Sequence, residues 1–135
     1  MSYDKIFINT GIDIVHNNRI SKHIYNQKFI KRVLSDYEIS KYNEISNYRR
    51  KIEFLAGRFA AKEAITKTIS FKINFNLISI SNSEVYFIDK DFVLKKLSIL
   101  FNKSVVDFII KVSISHEKEI TVANSIIIIF WEVSN

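Results

Sequence analysis

Glu63 stands in FLAGRFAAKEAITK, Phe54 to Lys67, among Arg58, Lys62 and Lys67. A carboxylate in such a set has two readings. It is the anionic rung of a surface ladder, paired with Lys67 one helical turn on, or it is half of a metal site built for a phosphorylated ligand. The second reading needs another carboxylate. Mg²⁺ is a hard ion that takes one or two protein carboxylates and leaves its other positions to water and phosphate oxygens. Asp13 is the candidate. It ends an apolar segment, where an ionised group is costly to bury unless a partner satisfies it. Asp13 either caps the following helix or binds the metal, with Gly11 clearing space beside it. His116, within Ser115-His116-Glu117-Lys118-Glu119, is a plain turn residue or a group that binds phosphate or moves a proton. The cations Arg19, Lys22, Lys28, Lys31 and Arg32 crowd one segment around Phe29. They form a solvated helix face or a docking patch for an acidic partner.

These residues need elements to hold them. Ile6 to Val15 alternates with the period of a strand, with Ile6, Ile8, Ile12 and Ile14 on one face and Phe7, Asn9, Gly11, Asp13 and Val15 on the other. Asn18 to Leu34 reads as a helix with Ile20, Ile24 and Tyr25 on one side. Ser35 and Asp36 cap a further helix from about Tyr37 through Tyr48. Glu53 to Ile69 is the central helix, with Leu55, Phe59 and Ile69 as a buried stripe and Ala56, Ala60, Ala61 and Ala64 small enough for close packing. Gly57 in mid-helix costs about 1 kcal/mol against alanine, so it implies the approach of a backbone or ligand. Leu77 to Ser81 and Glu84 to Ile88 form a hairpin around Asn82-Ser83. Asp91 caps a helix with Leu94, Leu97 and Phe101 inward. Phe108 to Ser115 is a strand, and the turn His116 to Glu119 leads to a last strand through Trp131, whose Ser125–Trp131 run reads as buried on both faces. Strands and helices do not alternate strictly, so the expected class is α+β, with a mainly antiparallel sheet packed on the long central helix.

Composition narrows the classes. The 135 residues suit one domain spanning 1–135, and no stretch resembles a linker. The absence of cysteine excludes disulfides, thiolate metal sites and thiol nucleophiles, and it is compatible with a reducing compartment. MSYDKIFINT lacks the basic and apolar regions of a signal peptide, and no apolar run is long enough to span a bilayer as a helix. The net charge of +6 favours an acidic partner, whether nucleic acid, membrane, protein or phosphorylated small molecule. Neither a Walker loop nor a Rossmann glycine pattern exists. No paired-histidine zinc motif is present, and nothing beyond residue types supports a serine triad.

Three segments together, Gly11-Ile12-Asp13 with Arg19, FLAGRFAAKEAITK, and VSISHEKEITVA (Val112 to Ala123), resemble the holo-(acyl-carrier-protein) synthases, the small 4′-phosphopantetheinyl transferases. The resemblance implies an α+β fold assembled as a homotrimer with active sites at subunit interfaces. It implies a cytoplasmic enzyme of fatty acid biosynthesis that transfers 4′-phosphopantetheine from coenzyme A to a serine of an apo acyl carrier protein, leaving adenosine 3′,5′-bisphosphate. Asp13 and Glu63 would hold Mg²⁺ at the coenzyme A pyrophosphate. Lys62, with Arg58 or Lys67, would neutralise phosphoryl oxygens, and the serine proton would pass to Glu63, directly or through a water, or to a metal-bound water, with Glu63 through water the favoured reading. His116 would sit near the cofactor's phosphates, and Arg19, Lys22, Lys28 and Arg32 would dock the acidic carrier. The chain departs from the family pattern at Thr68–Asn74, which lacks the usual glycine-rich turn, and near Ser83-Glu84-Val85, which lacks the usual Gly-x-Pro. The rival class is a small basic nucleic-acid-binding domain without catalysis, which would need neither Asp13 nor Glu63. A third possibility is a trimeric scaffold that keeps the fold without the activity.

Overall fold

The computed structural model describes residues 5–132; residues 1–4 and 133–135, the ends of the expected 1–135 domain, lie outside the described residues. Five strands form one antiparallel sheet in the order β1-β5-β4-β3-β2. They are β1 (Lys5–His16), β2 (Ile78–Ser81), β3 (Glu84–Phe87), β4 (Ser104–His116) and β5 (Ile120–Glu132). The helices are α1 (Asn17–Ser21), α2 (Gln27–Val33), α3 (Asp36–Asn43), α4 (Tyr48–Ile69) and α5 (Lys90–Phe101), with a 3-10 turn at Phe75–Leu77. This is the α+β architecture expected from the chain.

The central helix α4 packs on β1, β5 and β4. Its N-cap is Asn47, whose side chain accepts from the Arg50 N–H at 3.0 Å, so it starts five residues earlier than its hydrophobic stripe suggests. Leu55, Ala56, Ala60, Ala61, Ala64 and Ile65 are fully buried. The alanines bring the sheet close, and β1 comes closest at Gly11. A Cβ built there would stand 2.4 Å from the Ala64 carbonyl oxygen and 2.5 Å from Thr68 Oγ1. Gly11 therefore clears space for α4 itself and not for a ligand. Gly57 behaves differently: its missing Cβ leaves room for the His116 ring, whose Cε1 would lie 3.1 Å away.

Several boundaries differ from the sequence expectations. The segment 18–34 is two helices, because Asn26 caps α2 by accepting from the Phe29 N–H at 3.1 Å; Tyr25 is exposed while Ile20 and Ile24 are buried. Ser35 does cap α3, in a reciprocal capping box with Glu38, but α3 stops at Asn43. Asp89, not Asp91, caps α5. The turn 82–83 is made by Asn82 at φ 57°, a left-handed conformation that Asn tolerates. Ser70 takes φ 67° after α4, the position glycine most often fills, so the chain turns there without one.

The alternation of β1 is as read, yet its burial runs against polarity. Asn9, Gly11, Asp13 and Val15 face α4, while Ile6, Ile8, Ile12 and Ile14 stay 54–58% exposed on the outer face of the sheet. On β5, Ser125, Ile127 and Ile129 are buried, while Ile126, Ile128 and Phe130 are only half-buried. That strand is thus covered on one face only in the lone chain.

Candidate active site

The inward row of β1 meets the last two turns of α4. Asn9 donates to the Thr68 carbonyl at 3.0 Å. Two residues on, Gly11 lets the backbones touch. Two further, the half-buried Asp13 carboxylate accepts from Lys67 Nζ at 3.1 Å, while the same ammonium donates to the Ile12 carbonyl at 2.8 Å. The expected ladder between Glu63 and Lys67 does not form, because Lys67 turns to the strand. Glu63 is left half-buried with no hydrogen bond or ion pair among the described residues. It stands one turn before Lys67, about 5–6 Å away on the same helix face, so strand and helix bring Asp13, Lys67 and Glu63 into one neighbourhood.

Glu63 lines a groove of about 590 Å³ with Lys31, Arg32, Phe59, Asn74 and Phe75, within the size range of small-molecule sites. A second, adjoining hollow joins Glu63 to Thr66, Lys72 and Asn74. The glycine-free loop thus supplies a cation and an amide to the groove wall. Arg19, Lys22, Lys28 and Arg32 are all exposed on α1, α2 and the turn between them, with Arg32 over the Phe29 ring at 5.5 Å. Among the described residues no group of three or more His, Cys, Asp or Glu is gathered for a metal. Two carboxylates flanked by cations, one held and one unpaired, still fit a hard ion that takes its remaining oxygens from water and phosphate.

Lys62 does not reach the groove. Its ammonium is fully buried and donates to Glu38, to the Val33 carbonyl at 2.7 Å and to the Phe75 carbonyl at 2.9 Å. Three donors meet three acceptors, which leaves none for a phosphate or a serine proton. Glu38 is equally buried and also accepts from the N–H groups of Ser35 and Ile80. Burial pushes the Lys62 ammonium down to about 8 against the opposing pull of Glu38. Arg58 joins this network, with Nε 3.6 Å from Glu38 and Nη2 donating to the Ile80 carbonyl at 3.4 Å. Burial lowers its affinity for protons, and Glu38 opposes that. The network ties α2, α3, the 3-10 turn and β2 to α4, and so fixes the groove walls. Glu38 itself gives only one sequence signal, its place three residues after the capping serine.

His116 lies elsewhere in the chain. Its ring rests over Gly57, ten residues and about 15 Å along the helix axis from Lys67. Burial lowers its proton affinity, with Glu53 opposing and Arg58 reinforcing the shift. Within one chain, therefore, Lys67 ties Asp13 to α4 one turn from Glu63, while His116 rests against Gly57 towards the other end of the helix.

Comparison with known proteins shows the family. Residues 9–122 match the family model of the 4′-phosphopantetheinyl transferase superfamily. The holo-(acyl-carrier-protein) synthase of Mycoplasma capricolum subsp. capricolum is 43% identical over 84% of this chain and 88% of its own length. The synthase of Oceanobacillus iheyensis is 36% identical over 87% and 92%. The crystal structure of a Bacillus anthracis holo-(acyl-carrier-protein) synthase in complex with CoA (3′,5′-ADP) superimposes with a TM-score of 0.68, at 28% identity over 96% of this chain and 100% of that one. The chain belongs to the 4′-phosphopantetheinyl transferase superfamily, among the holo-(acyl-carrier-protein) synthases.

The buried network generates a stability test. Lys62→Met should destabilise the protein by about 3 kcal/mol, because it strands a buried carboxylate, and Glu38→Gln in the same chain should recover most of the loss. Urea unfolding midpoints measure both. Unchanged stability in Lys62→Met would return the ammonium to a role at the ligand.

Proposed function

We propose that this chain is one domain, 1–135, that transfers 4′-phosphopantetheine from coenzyme A to a serine hydroxyl of an apo acyl carrier protein in the cytoplasm, for fatty acid biosynthesis. The carrying observation is that Lys67 pairs with Asp13 across the strand–helix contact and leaves Glu63 unpaired at the groove. Membership of the family and the coenzyme A complex of the Bacillus anthracis relative support the same substrate. The nucleic-acid reading gives neither carboxylate a task.

The reaction forms a bond between the serine oxygen and the β-phosphorus and breaks the bond from that phosphorus to the bridging oxygen. Adenosine 3′,5′-bisphosphate leaves with that oxygen. Asp13 and Glu63 are the residues that would hold Mg²⁺, which when bound supplies positive charge to the pyrophosphate. Lys67 lies beside Asp13 and can turn its ammonium to a phosphoryl oxygen as charge develops there. Glu63 accepts the serine proton through a water. Lys31, Arg32 and Lys72 give the groove the sign that a polyanionic donor requires. The exposed cations Arg19, Lys22, Lys28 and Arg32 offer the carrier protein a complementary face.

The assembly on this reading is a homotrimer with sites at subunit interfaces. Ile6, Ile8, Ile12 and Ile14 make an apolar row of the kind that marks an interaction surface. His116 lies about 15 Å along the helix axis from Lys67, a separation that a site shared by two subunits would account for.

Three measurements test this. Protein mixed with coenzyme A, Mg²⁺ and apo carrier should give a carrier heavier by one phosphopantetheine in mass spectra, and Glu63→Gln should lower kcat by at least about 100-fold; full turnover in that variant removes Glu63 from the chemistry. Arg19→Glu should raise the carrier KM about tenfold, a cost of about 1.4 kcal/mol, and spare the coenzyme A KM; equal loss of both argues against docking. Ile12→Glu should give a folded monomer without transfer activity by light scattering and assay, and an intact, active trimer would contradict the interface.

A further inference from the structure

His116 is held by a chain of hydrogen bonds in which each donor can be assigned. Asn17, the first residue of α1, is buried just after β1, beside the turn between β4 and β5. Its Nδ2 faces the carbonyls of Glu117 at 3.2 Å and Lys118 at 3.4 Å, and its backbone N–H donates to the Glu119 carbonyl at 2.8 Å. Turning the amide over would press Oδ1 against two carbonyl oxygens, so its orientation is settled by its neighbours. Oδ1 therefore points to Thr121 Oγ1, 2.8 Å away. An amide oxygen can only accept, so the single hydroxyl proton of the fully buried Thr121 is given to it. Thr121 Oγ1 then has only lone pairs left for His116 Nδ1, at 3.0 Å. That nitrogen must carry the proton.

We propose that Asn17 and Thr121 are positioning residues that lock His116 as the Nδ1–H tautomer, so that Nε2 is the nitrogen that gains and loses a proton. The role of this lock in turnover rests on His116 belonging to the transfer site; the lock itself does not. Free histidine prefers the opposite tautomer, with the proton on Nε2, so the hydrogen bonds reverse an intrinsic preference. The same Nδ1–H bond persists when the ring is charged. It therefore supports proton uptake at Nε2 against burial, which pulls the other way. The charged groups that face the ring are Glu53 and Arg58, both from α4. Gly57 lies against the ring, and a Cβ there would stand 3.1 Å from Cε1, close enough that the ring or the helix would have to give by a few tenths of an ångström.

A protonated Nε2 donates to an anionic oxygen, and a neutral one accepts from a hydroxyl or a water. The lock thus assigns His116 a single exchangeable face, whichever phosphate or proton it meets.

Long-range ¹H–¹⁵N NMR of the histidines in the intact protein tests the lock without turnover. At pH 8 we expect a protonated Nδ1 and a bare Nε2 for His116. Thr121→Val removes the acceptor and should shift the ring towards the Nε2–H form, lowering the His116 pKa by about half to one unit, the equivalent of one hydrogen bond. Thr121→Ser should restore both. Asn17→Ala should also release the lock, because the Thr121 proton is then free to turn to Nδ1. An Nε2–H ring in the wild type, or a tautomer indifferent to Thr121→Val and Asn17→Ala, overturns the proposal. In the transfer assay, a pH profile of kcat displaced in Thr121→Val and regained in Thr121→Ser is the expected companion result. A displaced tautomer with an undisplaced profile would leave the lock standing and remove His116 from the transfer site.

Discussion

The site depends on how closely β1 approaches α4 at Gly11. A methyl group at that position would occupy the space of the Ala64 carbonyl. With hydrogen there instead, Asn9 reaches the Thr68 carbonyl, Gly11 lies against Ala64 and Thr68, and Asp13 meets Lys67, all within the last two turns of the helix. The contact explains why polar residues line the inner face of β1. They are needed against α4, where each finds a partner or a function. The isoleucines on the alternate positions are consequently turned outward, where they lie exposed in the single chain.

A second constraint is buried charge. Glu38, Lys62 and Arg58 join five segments, α2, α3, the 3-10 turn, β2 and α4, and two of the acceptors are backbone carbonyls at segment ends. Ion pairs of this kind are poor sources of net stability, since desolvation offsets most of the attraction. Their geometric consequence is larger. Val33 and Phe75 are held to the same ammonium, and the groove beside Glu63 lies between the segments they belong to.

Much of this was readable in the chain. The period of β1, the small face of α4 and the antiparallel hairpins follow from local pattern, so the α+β class did too. The pairing of Asp13 with the end of α4 was carried only by the resemblance, because spacing along a chain does not say which strand lies on which helix turn. The burial of Lys62 was hidden for the same reason. Lys62 and Lys67 have the same chemistry in sequence, and only the packing of α3 makes one a buried tie and leaves the other at the surface. Glu38 looked like an ordinary capping-box residue, which it also is. The Asn17–Thr121–His116 chain was invisible, since it joins residues more than a hundred positions apart. The polarity of β1 misleads when read alone: an exposed apolar row looks like a core face until the helix is seen on the other side.

The central claim is that Asp13 and Glu63 converge on one divalent ion beside a nucleotide's phosphates. Crystals of the protein grown with coenzyme A and Mn²⁺ in place of Mg²⁺ test it most directly through the anomalous signal of the metal. The account predicts one peak within bonding distance of both carboxylates and of a pyrophosphate oxygen. A well-occupied coenzyme A whose manganese touches neither Asp13 nor Glu63, in any subunit of the assembly, would contradict it.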